Sequence, residues 1–211
     1  MDKDTLLDIN GLTIGHKDNV LYSNVSFDIN SGDCIMLCGA NGSGKTTLLK
    51  TLSSMSDDVS LVPSRTPKVP GFTLLEFIRL ACHRKPSHII KEDAPTALKS
   101  IGISHLADRD ISTLSDGEFQ KGCIAAGLAN NSHIILLDEP TAFLDVESRI
   151  MVLETLSNIC KTGSRAVIFS THDIHEALSV SNKIIALGAD GIFRCSETSL
   201  KETATTIFTR R

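Results

Sequence analysis

Residues Cys34 to Thr46 read CIMLCGANGSGKT, a short apolar run followed by a glycine-rich turn. An unbroken apolar run of this length is typical of a strand that is covered on both faces of a sheet. The turn matches G-x-x-x-x-G-K-[ST] at every fixed position, and the helical pattern after it places Leu48, Leu49 and Leu52 on one side. A strand, this turn and a helix in that order identify a phosphate-binding loop.

The residues of this loop suit a nucleoside triphosphate. Glycines let the backbone curl so that successive N–H groups point at phosphate oxygens, and the helix adds the positive end of its dipole. Lys45 offers a positive charge to the β- and γ-phosphates, and the hydroxyl of Thr46 is placed to ligate Mg²⁺. By itself the loop does not distinguish kinases, GTPases and other phosphate-loop proteins. We predict that the ATP-binding residues are Gly39, Ala40, Asn41, Gly42, Ser43, Gly44, Lys45, Thr46 and Thr47.

A second apolar strand, Ile134 to Leu137, ends in the acids Asp138 and Glu139. Such a strand carries both acids to the carboxyl edge of the sheet, where the ligand sites of α/β proteins form. Asp138 is predicted to hold Mg²⁺ through water, and Glu139 to act as the general base that polarises the attacking water. His172 follows a neighbouring strand, and we predict that it contacts the γ-phosphate and holds that water.

The remaining patterns predict an α/β fold. Alternating residues before position 30 predict half-buried strands, residues 59–62 predict another short strand, and the apolar runs at 166–169 and 184–187 predict buried ones. Helical patterns occupy 73–82, about 92–129, 147–161 and 174–180, and the proline-rich segment Ser64 to Gly71 is predicted to be an irregular loop. Strands that alternate with helices imply a mostly parallel sheet, and the helices ahead of Ile134 imply an inserted lobe.

Composition narrows the class of protein. The chain has 211 residues, 41% of them hydrophobic, and a net charge of −4, which argues against disorder and against a nucleic-acid surface. We expect a soluble protein, because the N-terminus lacks the pattern of a signal peptide and no run approaches the roughly 20 apolar residues of a membrane span. The six cysteines contain no C-x-x-C pair and are predicted to be reduced, mostly buried thiols.

The stretch Leu114 to Glu118, LSDGE, resembles the LSGGQ signature of ATP-binding-cassette (ABC) ATPases and lies ahead of a predicted helix, Gln120 to Ala129. The residues TAFLD at Thr141 to Asp145 resemble the D-loop of the family, and His172 its switch histidine. Because the motifs occur in the family's order, the resemblance covers nearly the whole chain. It implies a P-loop NTPase (RecA-like) sheet with a trimmed N-terminal antiparallel β-lobe and a helical subdomain at about 72–130, all within one ABC ATPase domain, residues 1–211.

The resemblance also implies a function. Two cassettes, expected to be a homodimer, would sandwich two MgATP, with Ser115, Gly117 and Glu118 of one cassette facing the nucleotide of the other and Asp145 in the D-loop. The implied partner is an integral-membrane permease and not a nucleic acid, and the implied location is cytoplasmic, peripheral on the inner face of the cell membrane. LSDGE, TAFLD and THD most resemble the ATPases of importers for iron complexes (siderophores, haem) or cobalamin.

Three departures from the family pattern bear on this expectation. Asp116 and Glu118 replace the commoner glycine and glutamine, and two acids would repel a phosphate unless they turn away, so we expect Asp116 to point to solvent. Ser64 stands where the family places a glutamine that senses Mg²⁺ and relays to the transporter. His16 stands where an aromatic ring usually stacks on adenine, and imidazole offers a smaller stacking area.

Two alternatives remain open from the sequence. Ser64, His16 and the trimmed lobe are compatible with a degenerate, weakly active cassette that has a structural or regulatory role. A soluble ABC ATPase without a transport function is the other, although such proteins typically carry tandem cassettes or long coiled coils. The sequence does not specify the transported substrate.

Overall fold

A computed structural model describes residues 4–16, 19–82, 94–130, 132–188 and 193–196. The strands are β1 Thr5–His16, β2 Asn19–Asn30, β3 Cys34–Gly39, β4 Val59–Val62, β5 Ile134–Leu137, β6 Ala166–Ser170, β7 Lys183–Leu187 and β8 Phe193–Ser196. The helices are α1 Lys45–Ser53, α2 Leu74–Cys82, α3 Ala94–Ser100, α4 Asp116–Ala129, α5 Val146–Lys161 and α6 Ile174–Val180, with short 3-10 turns at Ser104–Leu106 and Ile111–Thr113. The bounds of β4, β5 and α6 are those predicted from the sequence.

The main sheet has six strands in the order β4-β5-β6-β3-β7-β8. Neighbouring strands from β4 to β7 run parallel, and only β8 is antiparallel to its neighbour β7. Every residue of β5, β6 and β7 is buried, as the apolar runs predicted. Because β3, β5 and β6 are parallel and adjacent, the segments after them meet at one edge of the sheet.

The N-terminal part forms a separate two-stranded antiparallel sheet of β1 and β2. The side chains of Ile9, Ile14 and Ile29 from this sheet are fully buried in one cluster with leucines of α1, including Leu48 and Leu52. This packing places the small sheet against the helix that follows the phosphate loop. The mixed α/β fold with a parallel sheet and an antiparallel β-lobe is therefore confirmed.

Helices α2, α3 and α4 follow one another between β4 and β5, and they pack together through buried side chains such as Leu74, Ile78 and Leu98. Helix α4 also lies close to the sheet. A Cβ atom added at Gly127 of α4 would stand 2.4 Å from Cγ2 of Val62 in β4. The absence of a side chain at Gly127 is thus what lets α4 approach β4.

The segment from Ser64 to Gly71 forms neither helix nor strand, as predicted. Five of the six free cysteines are buried, and Cys195 is partly exposed. Within the described residues, no helix is both long enough and apolar enough to cross a membrane.

Candidate nucleotide site

The phosphate loop connects β3 to α1, and its glycines are required by close contacts. A Cβ atom at Gly39 would lie 2.5 Å from Oγ of Ser43 and 2.7 Å from the carbonyl oxygen of Leu187. Gly44 adopts a left-handed conformation with φ of 100° at the N-cap of α1, which glycine adopts without steric cost. The loop therefore curls tightly over the N-terminus of α1, and the N–H groups of the first turn are left for a ligand.

Lys45 is 6% exposed, and its ammonium stays within the loop. Nζ donates to the carbonyl oxygens of Gly39 at 2.9 Å and Ala40 at 3.2 Å. Burial lowers the pKa of Lys45, whereas the negative charges of Glu139 and Asp138 oppose that shift. The lysine is thus held where a triphosphate would supply it with a stronger partner.

Ser43 offers a further polar group inside the loop. Its hydroxyl is buried and has no hydrogen-bond partner among the residues that the structure describes. A buried hydroxyl without a partner is costly, and a phosphate oxygen would satisfy it. This observation supports a ligand with phosphate oxygens in the loop.

Asp138 joins the phosphate loop to the ends of β5 and β6. It is 4% exposed, and its Oδ2 accepts a hydrogen bond from Oγ1 of Thr46 at 2.8 Å. Its Oδ1 accepts from Oγ of Ser170 at 2.8 Å, and the same hydroxyl accepts from the backbone N–H of Glu139 at 2.8 Å. Hydroxyl and carboxylate oxygens are the donors that Mg²⁺ prefers, so the pair Thr46 and Asp138 fits this metal. Ser170 was not among the predicted site residues, although its position at the end of an apolar strand is visible in the sequence.

Glu139 and His172 meet at the same edge, as their positions after β5 and β6 predicted. Nε2 of His172 lies 2.9 Å from Oε1 of Glu139. Both side chains are partly exposed, at 47% for the histidine and 35% for the glutamate, so water can reach them. Glu139 has a φ of 50°, an uncommon conformation for a residue other than glycine and one that clusters at functional sites.

The signature residues form the start of helix α4, which corrects the predicted helix start at Gln120. Ser115 is the N-cap, and the helix begins at Asp116. Oγ of Ser115 accepts from the backbone N–H of Glu118 at 3.2 Å, and Oε2 of Glu118 accepts from the backbone N–H of Ser115 at 2.8 Å. This reciprocal capping box stabilises a helix start within residues that carry no apolar periodicity.

The capping box also shows how Glu118 is accommodated. The hydrogen bonds from Ser115 lower the pKa of Glu118, and its carboxylate turns to its own backbone. Asp116 is 77% exposed, which confirms that it points to solvent, and it pairs with Lys68. Both acids are therefore engaged within the chain.

The D-loop lies against the signature of the same chain. A Cβ atom at Gly117 would stand 3.0 Å from the carbonyl oxygen of Phe143. Asp145 caps α5, since its Oδ1 accepts from the backbone N–H of Ser148 at 2.8 Å, and Nζ of Lys121 in α4 donates to Oγ of Ser148 at 2.7 Å. Lys121 and Ser148 were not predicted from the sequence, because their contact joins two separate helices.

The structure describes Ser64 and His16, the two departures from the family pattern outside the signature, to different extents. Ser64 follows β4 and Pro63, and it is half-buried beside a groove of about 700 Å³ that opens between β4, α2 and α4. His16 is the last residue of β1 and pairs with Asn19, but its side chain lies outside the described part of the chain. Tyr22, the only tyrosine, is 5% exposed and donates to the carbonyl oxygen of Gly188 at 3.2 Å, so it packs inward.

A buried strand, a phosphate loop on a helix N-terminus, and carboxylates on the adjacent parallel strand define a phosphate-loop ATPase. The family model described as ABC transporter matches residues 22–142, more than half of the chain. The chain therefore belongs to the ATP-binding family of ABC transporters, and it binds ATP and is an ATPase.

Three curated relatives illustrate the family. The chain is 29% identical to the molybdate import ATP-binding protein MolC of Haemophilus influenzae, over 86% of this chain and 78% of the relative. It is 30% identical to the iron(3+)-hydroxamate import ATP-binding protein FhuC of Bacillus subtilis, over 83% of this chain and 76% of the relative. It is also 30% identical to the spermidine/putrescine import ATP-binding protein PotA of Legionella pneumophila, over 85% of this chain but only 56% of that relative.

Two solved structures are similar in fold and sequence. One is described as the inward-facing conformation of an ABC transporter of the metal-chelate type, with a TM-score of 0.82, 26% identity and coverage of 98% of this chain and 89% of that chain. The other is a dimeric post-hydrolysis state of an ATP-binding cassette bound to ADP and phosphate. It has a TM-score of 0.76 and 25% identity, and the match covers 91% of this chain and 98% of that chain.

Proposed function

We propose that this chain is the ATP-hydrolysing subunit of an importer, in which two copies sandwich two MgATP and drive a membrane permease. One observation carries the proposal: the chain has two helix starts suited to phosphate, the phosphate loop on α1 and the Ser115-capped start of α4. Two copies arranged head to tail would let both helix starts act on each nucleotide. The dimeric cassette of similar fold supports this arrangement.

Each group at the sheet edge has a proposed role. Lys45 and the loop N–H groups bind the β- and γ-phosphates, and Thr46 and Asp138 would hold Mg²⁺, which neutralises phosphate charge when bound. Glu139 accepts a proton from the attacking water, and His172 orients that carboxylate and the water. Ser170 holds the carboxylate of Asp138 and the backbone of Glu139 in position through its two hydrogen bonds.

The remaining site residues lie away from the sheet edge. His16 is the proposed contact to adenine, and Asp145 is the D-loop residue. The signature that faces the second nucleotide consists of Ser115, Gly117 and Glu118.

The groove beside Ser64 is the proposed docking site of the permease. Its lining includes exposed apolar side chains at Val69, Phe72 and Leu80, which are 50%, 37% and 52% exposed. Exposed apolar side chains that share one groove mark an interaction site. A chain that docks in this way would work as a peripheral protein on the inner face of the membrane. We also propose that the chain is one domain in which the helices at about 72–130 form an inserted subdomain.

The narrower proposal for the cargo is an iron–siderophore complex, haem or cobalamin. The iron(3+)-hydroxamate relative and the metal-chelate transporter support it. The molybdate and polyamine relatives are similarly distant, so import as such is the firmer part of the proposal. The test is uptake of labelled iron siderophore, haem, cobalamin, molybdate and spermidine by cells with and without the gene. Loss of molybdate or spermidine uptake alone would overturn the assignment to iron complexes or cobalamin.

The nucleotide site is tested by Lys45→Met, which keeps the aliphatic stem and removes the charge. We expect MgATP to bind about thirtyfold more weakly, because a hydrogen bond to a charged group contributes about 1.5–3 kcal/mol. Titration with a fluorescent ATP analogue measures the affinity.

Lys50→Met is the matched control, since Lys50 is an exposed lysine on the same helix, and its affinity should equal that of the parent. Equal affinity of the Lys45 and Lys50 variants would contradict the proposed site.

A further inference from the structure

Lys68 connects the irregular loop at 64–71 to the signature. Its Nζ donates to the carbonyl oxygen of Leu114 at 2.8 Å and to Oδ1 of Asp116 at 2.7 Å. The same ammonium lies 5.7 Å from the centre of the Phe119 ring, within the range of a cation–π contact. Lys68 thus contacts the residues on both sides of Ser115 and the side chain one turn further into α4.

Asp116 creates an electrostatic problem for a phosphate-binding helix start. A carboxylate in the first turn stabilises the helix itself through the dipole. The same negative charge repels an anion that approaches those N–H groups. Ser115 and Gly117 can receive a γ-phosphate only if the charge of Asp116, which stands between them in the chain, is balanced.

We propose that Lys68 is a positioning residue for the signature: its ammonium balances the charge of Asp116 and fixes the carbonyl of Leu114, so that Ser115 and Gly117 can receive the γ-phosphate of ATP bound to a second copy. This inference rests on the proposed nucleotide-sandwich dimer. It assigns a function to a lysine outside the recognised motifs, and it explains how an acid can replace the usual glycine.

The contacts favour this electrostatic role over a role in folding. The side chain of Lys68 is 25% exposed and that of Asp116 is 77% exposed. An ion pair with this exposure contributes little to stability. The pKa of Asp116 is lowered by Lys68, first through the hydrogen bond and then through the charge, so this carboxylate is ionised at neutral pH. Replacement of Lys68 should therefore change nucleotide-driven association more than it changes the melting temperature.

The experiment measures MgATP-driven dimerisation by analytical ultracentrifugation, with every variant made in a Glu139→Gln background so that ATP is not consumed. We expect Lys68→Met to raise the MgATP concentration at half-dimerisation by about tenfold, because an unbalanced negative charge then stands in the first turn of the helix that receives the triphosphate. Lys68→Arg should remain close to the parent. The double variant Lys68→Met/Asp116→Asn should return close to the parent value, because the charge that needed balancing is gone.

Two further measurements separate this role from a structural one. Lys99→Met is the matched control, since Lys99 is an exposed lysine of α3, and it should dimerise like the parent. Binding of a fluorescent ATP analogue at the phosphate loop at protein concentrations below dimerisation should be the same in the parent and in Lys68→Met, as should the melting temperature.

The outcomes are distinguishable. A parent that binds MgATP without dimerising overturns the sandwich dimer and this inference with it. A parent that dimerises, together with an unchanged Lys68→Met variant, overturns the role of Lys68 alone. Two other results would show that Lys68 supports the fold and would overturn the charge-balancing role. One is weakened dimerisation of Lys68→Met that Asp116→Asn does not restore. The other is weakened dimerisation together with a clearly lower melting temperature.

Discussion

Glu139→Gln is expected to lower the turnover number for ATP by about a thousandfold while MgATP still binds, since a general base contributes about 10²–10⁴-fold to a rate. The glutamate lies at the carboxyl end of β5 with Oε1 2.9 Å from Nε2 of His172. Glutamine keeps the size and a hydrogen-bonding oxygen, but it cannot accept the proton of the attacking water. Phosphate release measures turnover, and titration with the fluorescent ATP analogue measures binding.

The control is Glu154→Gln, which changes an exposed glutamate of α5 away from the sheet edge and should leave the turnover number unchanged. Glu139 and His172 act on the same water in this proposal, so the loss in Glu139→Gln/His172→Ala should be much smaller than the product of the two single losses. A Glu139→Gln variant that hydrolyses ATP within about threefold of the parent would remove Glu139 from the general-base role. That result would also favour the degenerate, weakly active cassette.

Local patterns predicted the phosphate loop and every strand of the main sheet except β8. The apolar runs at 134–137 and 166–169 lie in β5 and β6, because an unbroken run of apolar residues is typical of a strand that is buried on both faces. The start of α4 was placed four residues too late, because Asp116, Gly117 and Glu118 have no apolar periodicity. The S-x-x-E spacing from Ser115 to Glu118 was the available signal, and a capping box would have placed the start correctly.

The parts of the site that sequence reasoning missed are contacts between distant segments. Ser170 and Asp138 are 32 residues apart, and Lys68 and Asp116 are 48 residues apart. Such pairs are created by the order of strands in the sheet and by the loop that crosses to α4, and neither leaves a periodic pattern. The predicted roles of Glu139 and His172 required only that two parallel strands end at one edge, which the fold class already implied.

Lys183→Met is expected to lower the free energy of unfolding by about 3 kcal/mol, the cost of removing one member of a buried ion pair. Lys183 is 2% exposed at the start of β7, a strand that the sequence analysis began one residue later. Its Nζ donates to the backbone oxygen of Asp28 at 2.7 Å and to Oδ2 of Asp28 at 3.1 Å, and it lies 3.5 Å from Oδ2 of Asp33. Asp33 is fully buried, so its carboxylate cannot regain water when the ammonium is removed. Urea denaturation followed by circular dichroism measures the loss.

Two further variants test whether the lost ion pair is the cause of the lower stability. Lys183→Met/Asp33→Asn should recover part of the loss, because it removes the buried negative charge and keeps an oxygen that can accept from the backbone N–H of Asn30, as Asp33 does at 2.9 Å. Lys50→Met, at an exposed position of α1, should unfold like the parent.

The pH dependence of the free energy of unfolding independently checks that the charge of Lys183 is stabilising. Burial by itself lowers the pKa of Lys183, but the hydrogen bond to Asp28 and the charge of Asp33 raise it above its ordinary value. A lysine whose pKa is raised by folding contributes its full stabilisation below about pH 10.4, the pKa of lysine in the unfolded chain. That contribution is lost as the pH rises through the pKa of the lysine in the folded protein. The difference between the parent and Lys183→Met should therefore stay constant from about pH 6 to about pH 9 and shrink only at higher pH. A difference that stays constant as the pH rises above about 11, or a Lys183→Met/Asp33→Asn variant no more stable than Lys183→Met, would show that the lysine acts through packing instead of charge.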